Sequence, residues 1–103
     1  MSKRTELRQF VTDVISHIDQ PKEFVNSLTS QWCDTMDRVC IKMQDAYNSH
    51  DYAKCLVILD NLFLMLSRLI ADLRKLGLPA EEAYSKKLFA FYCKNRRGFQ
   101  DLF

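Results

Sequence analysis

Between Cys55 and Leu76 the chain reads CLVILDNLFLMLSRLIADLRKL, a helix-period run whose first half is apolar nearly all round, interrupted only by Asp60 and Asn61. Such a helix must be covered on most of its circumference. The other apolar stripes are narrower. Leu7, Phe10, Val11, Val14 and Ile18 recur at steps of three and four and predict a first helix over about 5–18. Val25, Leu28, Trp32, Met36, Val39, Met43 and Ala46, with Cys40 and Tyr47 alongside, predict a second over about 21–48. The greasy segment forms a third over about 51–76. A fourth, over about 79–97, buries Tyr84, Leu88, Phe91 and Tyr92.

Punctuation agrees with these stripes. Ser2 or Thr5 can cap the first helix, and Pro21 suits the first position of the second, where its missing N–H is no loss. In the turn NSHDY, Ser49 or Asp51 can accept from the free N–H groups opening the third helix. Gly77 supplies a left-handed closing residue, Leu78-Pro79 begins the next element, and Gly98 is expected to end the fourth helix. Residues 99–103 then form a tail after a helical domain over 1–98. The second and third helices would each span about 40 Å, against a diameter near 34 Å for a compact domain of about 100 residues. The expected fold is therefore all-α: an elongated bundle of about four helices built on a long antiparallel hairpin. Its under-covered ends suggest a homodimer.

The turn loosely resembles the D-[YW]-x-x-A linker of tetratricopeptide hairpins, with Asp51, Tyr52 and then Cys55 where a small residue is usual. The likeness covers a handful of residues without a repeat of about 34 residues, and shared helix capping accounts for it.

Composition narrows the classes. The chain is 48% apolar and 27% charged with net charge +2, which suits a folded core rather than a disordered segment. Two glycines and two prolines are too few for a strand-rich fold. Asp60, Arg68, Asp72, Arg74 and Lys75 break the third helix long before the roughly 20 apolar residues of a membrane span. MSKRTELRQF lacks an apolar signal core, so the expectation is an intracellular chain, cytoplasmic by default with the nucleus left open. Cys33, Cys40, Cys55 and Cys93 are expected to be reduced and mostly core. They include no CxxC pair, and His17 and His50 have no companion at ligand spacing. No metal or cofactor is expected.

Candidate chemistry is sparse. GxSxG, HExxH and a glycine-rich loop are all missing from the sequence, so an enzyme is not expected. Acid pairs such as Asp34 with Asp37 suit exposed helix faces, and Asp34 stands four before Arg38 in the favourable ion-pair orientation. Surfaces for binding are better marked. Val57 and Leu64, seven apart, extend the apolar side of the third helix and read as a partner seam, with Trp32 as a further anchor. Phe99, Leu102 and Phe103 form one apolar patch if helical. FQDLF is similar to the F-x-x-L-F helix that docks in hydrophobic grooves and to the F-x-D-x-F peptides read by endocytic adaptor appendages. Asp60 and Asn61, within the greasiest stretch, are candidates for pairing across a dimer seam.

The leading expectation is thus a non-catalytic protein–protein interaction module, a self-associating subunit or an adaptor of a larger assembly. Its partner residues would be Trp32, Val57, Leu64, Phe99, Leu102 and Phe103. The alternative is a small RNA-binding dimer. Lys54, Asn61, Arg68 and Lys75 are spaced by seven, a line of groups about 10 Å apart that could follow a nucleic-acid backbone. Small helical viral suppressors that clasp double-stranded RNA use this general design, though no motif here carries a resemblance to them. Lys86, Lys87, Lys94, Arg96 and Arg97, interleaved with Phe89, Phe91, Tyr92 and Phe99, would complete that surface by charge and stacking.

Overall fold

The computed structural model describes residues 2–103. Four helices carry the chain, with no strand among the described residues: α1 Lys3–Ser16, α2 Lys22–Asn48, α3 Tyr52–Arg74 and α4 Glu81–Gln100. Local chemistry sets most of the boundaries. Ser2 accepts the Thr5 N–H on its Oγ at 3.1 Å and starts α1. Pro21, in extended conformation, immediately precedes α2. Of the two possible caps for α3, Asp51 serves: its carboxylate accepts the Lys54 N–H at 3.1 Å.

Both α2 and α3 close with the paired hydrogen bonds of a Schellman turn. At the end of α2, the Asp51 N–H donates to Ala46 O (2.9 Å) and the His50 N–H to Tyr47 O (3.0 Å), with His50 left-handed at φ 57°. After α3, the Leu78 N–H donates to Leu73 O (3.1 Å) and the Gly77 N–H to Arg74 O (3.3 Å), with Gly77 at φ 91°. Leu78 is then buried, the usual hydrophobic companion of this turn. Several boundaries differ from the periodicity: α1 opens two residues earlier, at Lys3, Pro21 lies just outside α2 rather than at its first position, and α3 ends two residues sooner, at Arg74. The first helix stops at Ser16, leaving Ile18 buried in the following turn. The fourth starts at Glu81, because Ala80 is itself left-handed (φ 53°). It also runs through Gly98 to Gln100.

Helices adjacent in sequence pack side by side, α1 on α2, α2 on α3 and α3 on α4. The ring closes through α1–α4 contacts: Lys3 Nζ lies 5.4 Å from the Phe99 ring centroid, Lys94 reaches Glu6 (4.0 Å), and Tyr84 Oη lies 3.0 Å from His17 Nδ1. These pairings run the two helices antiparallel. The α1–α2 turn is pinned to the α3–α4 turn by the Asp19 N–H donating to Leu76 O at 3.0 Å. The resulting helical bundle measures 45 × 24 × 21 Å.

α3 supplies the centre of the core with Cys55, Leu59, Leu62, Leu66, Leu69, Ile70 and Leu73. Leu7, Val11, Val14 and Ile15 of α1, Cys33, Met36, Met43 and Ala46 of α2, and Leu88 and Phe99 of α4 surround it. All four cysteines are free thiols. Burial pushes the Cys55 thiol up from its ordinary value, and Cys55 Sγ donates to Met43 O at 3.7 Å. No helix among the described residues is long and apolar enough to cross a membrane.

Candidate interaction site

α3 is covered by α2 on one flank and α4 on the other, and its third side is left to solvent. Along that side lie Lys54, Val57, Asn61, Leu64, Arg68, Ala71 and Lys75, all exposed. Val57 and Leu64 are 57% and 65% exposed, high values for aliphatic side chains on a helix so central to the core. Beside this line, α2 and α3 part to form an open groove of about 450 Å³, lined by Trp32, Asn61, Leu64, Met65, Arg68, Leu69 and Asp72. Trp32 is half-buried and packs against the core, so its ring is held in place while one side stays open. The groove thus gathers Trp32, Asn61, Leu64 and Arg68, four residues marked by the sequence. Met65, Leu69 and Asp72 join them unanticipated, although Asp72 and Leu69 lie eight and five residues beyond Leu64 on adjoining helical faces. Asn61, Arg68 and Asp72 can form hydrogen bonds and ion pairs with a partner; no hydroxyl, thiol or imidazole lines the groove.

Other expected anchors are placed differently. Phe99 is only 5% exposed: it belongs to α4 and to the core, so it is unavailable to a partner. That removes the first anchor of any FQDLF docking peptide. The physical reason is that burying an aromatic ring gains more than a glycine costs in the last turns of a helix, so Gly98 does not stop α4. Leu102 is exposed, and Phe103, at 73%, touches the Tyr52 ring edge-on with centroids 6.3 Å apart. The chain end therefore sits at the α2–α3 turn, where Tyr47 and Tyr52 also meet (5.8 Å).

Asp60 is neither buried nor free for a dimer seam. Its side chain is partly exposed and turned to α4, where the Tyr92 hydroxyl donates to it and Arg96 Nη1 lies 3.5 Å away. The Tyr92 hydroxyl accepts from Arg96 at 2.7 Å; this bond first, and the nearby Asp60 charge after it, hold the Arg96 guanidinium above its ordinary value. Asn61, one residue on, faces the opposite flank and lines the Trp32 groove.

The cations of α4 are scattered over several directions. Arg96 is held at the α3 flank, Lys94 reaches α1, and Lys87 lines an α1–α4 groove with Leu7, Phe10, Leu88 and Phe91. Lys86 lies at the opening turn of α4 with Glu81 and Glu82, and Arg97 is exposed. The aromatics beside them are largely occupied. Phe63 of α3 packs on Tyr92 (centroids 4.5 Å) and Phe89 (6.2 Å), and Phe91 packs against the core. Lys54, Arg68 and Lys75 remain exposed on α3, with no ion pair among the described residues.

A charge clamp unmarked by the sequence joins α1 to α2. Asp37 accepts from Arg4 Nε (2.9 Å) and from Arg8 Nη1 (2.7 Å). The hydrogen bond from Arg4 chiefly holds the Asp37 carboxyl below its ordinary value, with that from Arg8 adding to it against a desolvation that acts the other way. Arg38, matched by spacing to Asp34, instead turns to Thr35 Oγ1 at 3.5 Å.

The chain matches no protein-family model, no curated protein and no solved structure.

Proposed function

We propose that this chain is a non-catalytic helical interaction module that works by self-association, as a homodimeric subunit or adaptor of a larger assembly. The observation that carries the reading is the outward line of α3: Val57 and Leu64 stand in solvent two turns apart beside a groove floored by Trp32, Met65 and Leu69. Fully covering a leucine or valine side chain is worth about 1.5–3 kcal/mol, and a half-open tryptophan in a groove is a typical binding hot spot. Contiguous exposed apolar surface on a small domain marks association. The polar members of the groove can set register and orientation.

A second reading keeps one specific observation: Lys54, Arg68 and Lys75 are exposed, lie on one period-seven row with the uncharged Asn61 between the first two, and are free of ion pairs among the described residues. They suit a small RNA-binding dimer that follows a phosphate backbone. The first reading is preferred because Asp72 interrupts that line and the α4 cations point to other flanks.

Sedimentation velocity over a concentration series, on wild type and Leu64→Asp, tests the proposal. Association in wild type and its loss in the variant support it; a wild-type monomer throughout overturns self-association. A duplex-RNA titration with a steep salt slope, flattened by Arg68→Ala with Lys75→Ala, would favour the second reading.

A further inference from the structure

Resting on the self-association reading above, we propose that two copies pair through α3 in antiparallel orientation, with Lys54 of each copy set against Asp72 of the other. The exposed residues of α3 fall into two interleaved rows of period seven: Lys54, Asn61, Arg68 and Lys75, and between them Val57, Leu64 and Ala71. This is the spacing by which one helix lies along another. Two orientations are open to a pair of identical lines. In register and parallel, Lys54 meets Lys54, Arg68 meets Arg68 and Lys75 meets Lys75. Three like-charge layers would then flank a thin apolar row, and like charges across an interface are strongly disfavoured.

Reversing one copy about a twofold axis that meets the exposed face at the level midway between positions 62 and 63 removes that conflict. Asn61 then faces Leu64, Val57 faces the aliphatic stem of Arg68, and Lys54 faces the Ala71–Asp72 step, each contact occurring twice by symmetry. Val57 of the second copy arrives at the end of the groove formed by Arg68, Leu69 and Asp72, and Leu64 arrives at the end formed by Asn61. Lys54 and Asp72 are both exposed, and neither has an ion-pair partner in its own chain among the described residues. Of the unpaired cations on this face, Lys54 is the one that meets Asp72 in this antiparallel register, while Arg68 is set against Val57. The period-seven apolar row and this charge match point to the same occupant, a second copy of this chain.

The native protein allows a direct test. Within one chain Lys54 and Asp72 lie on a single straight helix, about 27 Å apart, so a zero-length carbodiimide can join that amine to that carboxylate only between copies. The expected result is a Lys54–Asp72 amide in the cross-linked dimer band, identified by peptide mass spectrometry. Charge reversal supplies the second arm. Lys54→Asp sits in the first turn of α3 and Asp72→Lys near its last, where both new charges favour the helix dipole, so neither should unfold the chain. Each single reversal strikes two symmetric pairs and should weaken dimerisation about tenfold in sedimentation equilibrium, and the double reversal should restore it. A wild-type dimer lacking the Lys54–Asp72 cross-link, or one whose single-variant losses the double reversal fails to rescue, overturns the antiparallel seam and leaves self-association standing. A wild-type chain that never dimerises overturns both.

Discussion

Replacing Gly77 with alanine should damage the fold far more than one methyl group suggests. Gly77 closes α3 at φ 91°, and a Cβ built there would sit 2.8 Å from Asp19 Cβ and 3.2 Å from Asp19 N. The backbone of Asp19 cannot retreat freely, because its N–H donates to Leu76 O at 3.0 Å and ties the α1–α2 turn to the α3–α4 turn. Two costs add. An L-residue held in left-handed backbone loses about 1–2 kcal/mol. Displacing Asp19 weakens a hydrogen bond worth about 1 kcal/mol and disturbs the packing of the neighbouring buried Ile18 and Leu78. The sum, about 2–3 kcal/mol, should lower the melting temperature by roughly 10–20 °C in a domain of this size. Gly98→Ala is the matched control. Its Cβ would meet nothing within 4 Å, and it lies inside α4, so the same substitution should stabilise by about 0.5–1 kcal/mol. Thermal unfolding followed by circular dichroism reads both variants. If Gly77→Ala melts within a degree or two of wild type, or tracks Gly98→Ala, the described junction between the two turns is wrong.

Other outcomes follow from single sites. Leu66 is fully buried and Leu64 mostly exposed, so urea unfolding of the isolated fold should show Leu66→Ala losing about 2–5 kcal/mol and Leu64→Ala within about 0.5 kcal/mol. Asp51→Ala removes the side-chain cap of α3 and should cost about 1 kcal/mol in the same assay, whereas Ser49→Ala should leave stability unchanged. The Asp37 clamp sets a pH dependence of definite sign. Its folded value is depressed below the ordinary 3.8, so its contribution is complete above that value and is lost as pH falls through the folded one. Melting curves from about pH 6 to about pH 2.5 should therefore show Asp37→Asn to be least different from wild type at the acid end.

Much of the helical layout was legible because capping and period are local. The stripe of α2, the Asp51 cap and the left-handed Gly77 are each decided within a turn or two of chain, and the structure has them there. Apart from the left-handed Ala80 that delays α4, the misplacements are questions of which neighbour covers which flank. Asp60 looked buried because its sequence neighbours are apolar, yet it faces Tyr92 and Arg96, residues more than thirty positions away. Gly98 carried the local sign of a helix stop, but the pull of a buried Phe99 outweighs it. The pairing of Asp37 with Arg4 and Arg8 spans two helices and leaves no mark at helical spacing, whereas Asp34 and Arg38 have the spacing without the bond. The α3 face was half visible: Val57 and Leu64 stood out by period, but the Trp32 groove depends on how α2 and α3 part.

On the proposal made here the exposed line of α3 is covered by a second molecule, first of all another copy. Sedimentation equilibrium of the full chain from low to high micromolar concentration, alongside Leu64→Asp, tests it most directly. Wild type should show a monomer–dimer equilibrium, and Leu64→Asp a well-folded, concentration-independent monomer. A wild-type monomer at every concentration, or a Leu64→Asp variant that dimerises as tightly as wild type, would contradict it.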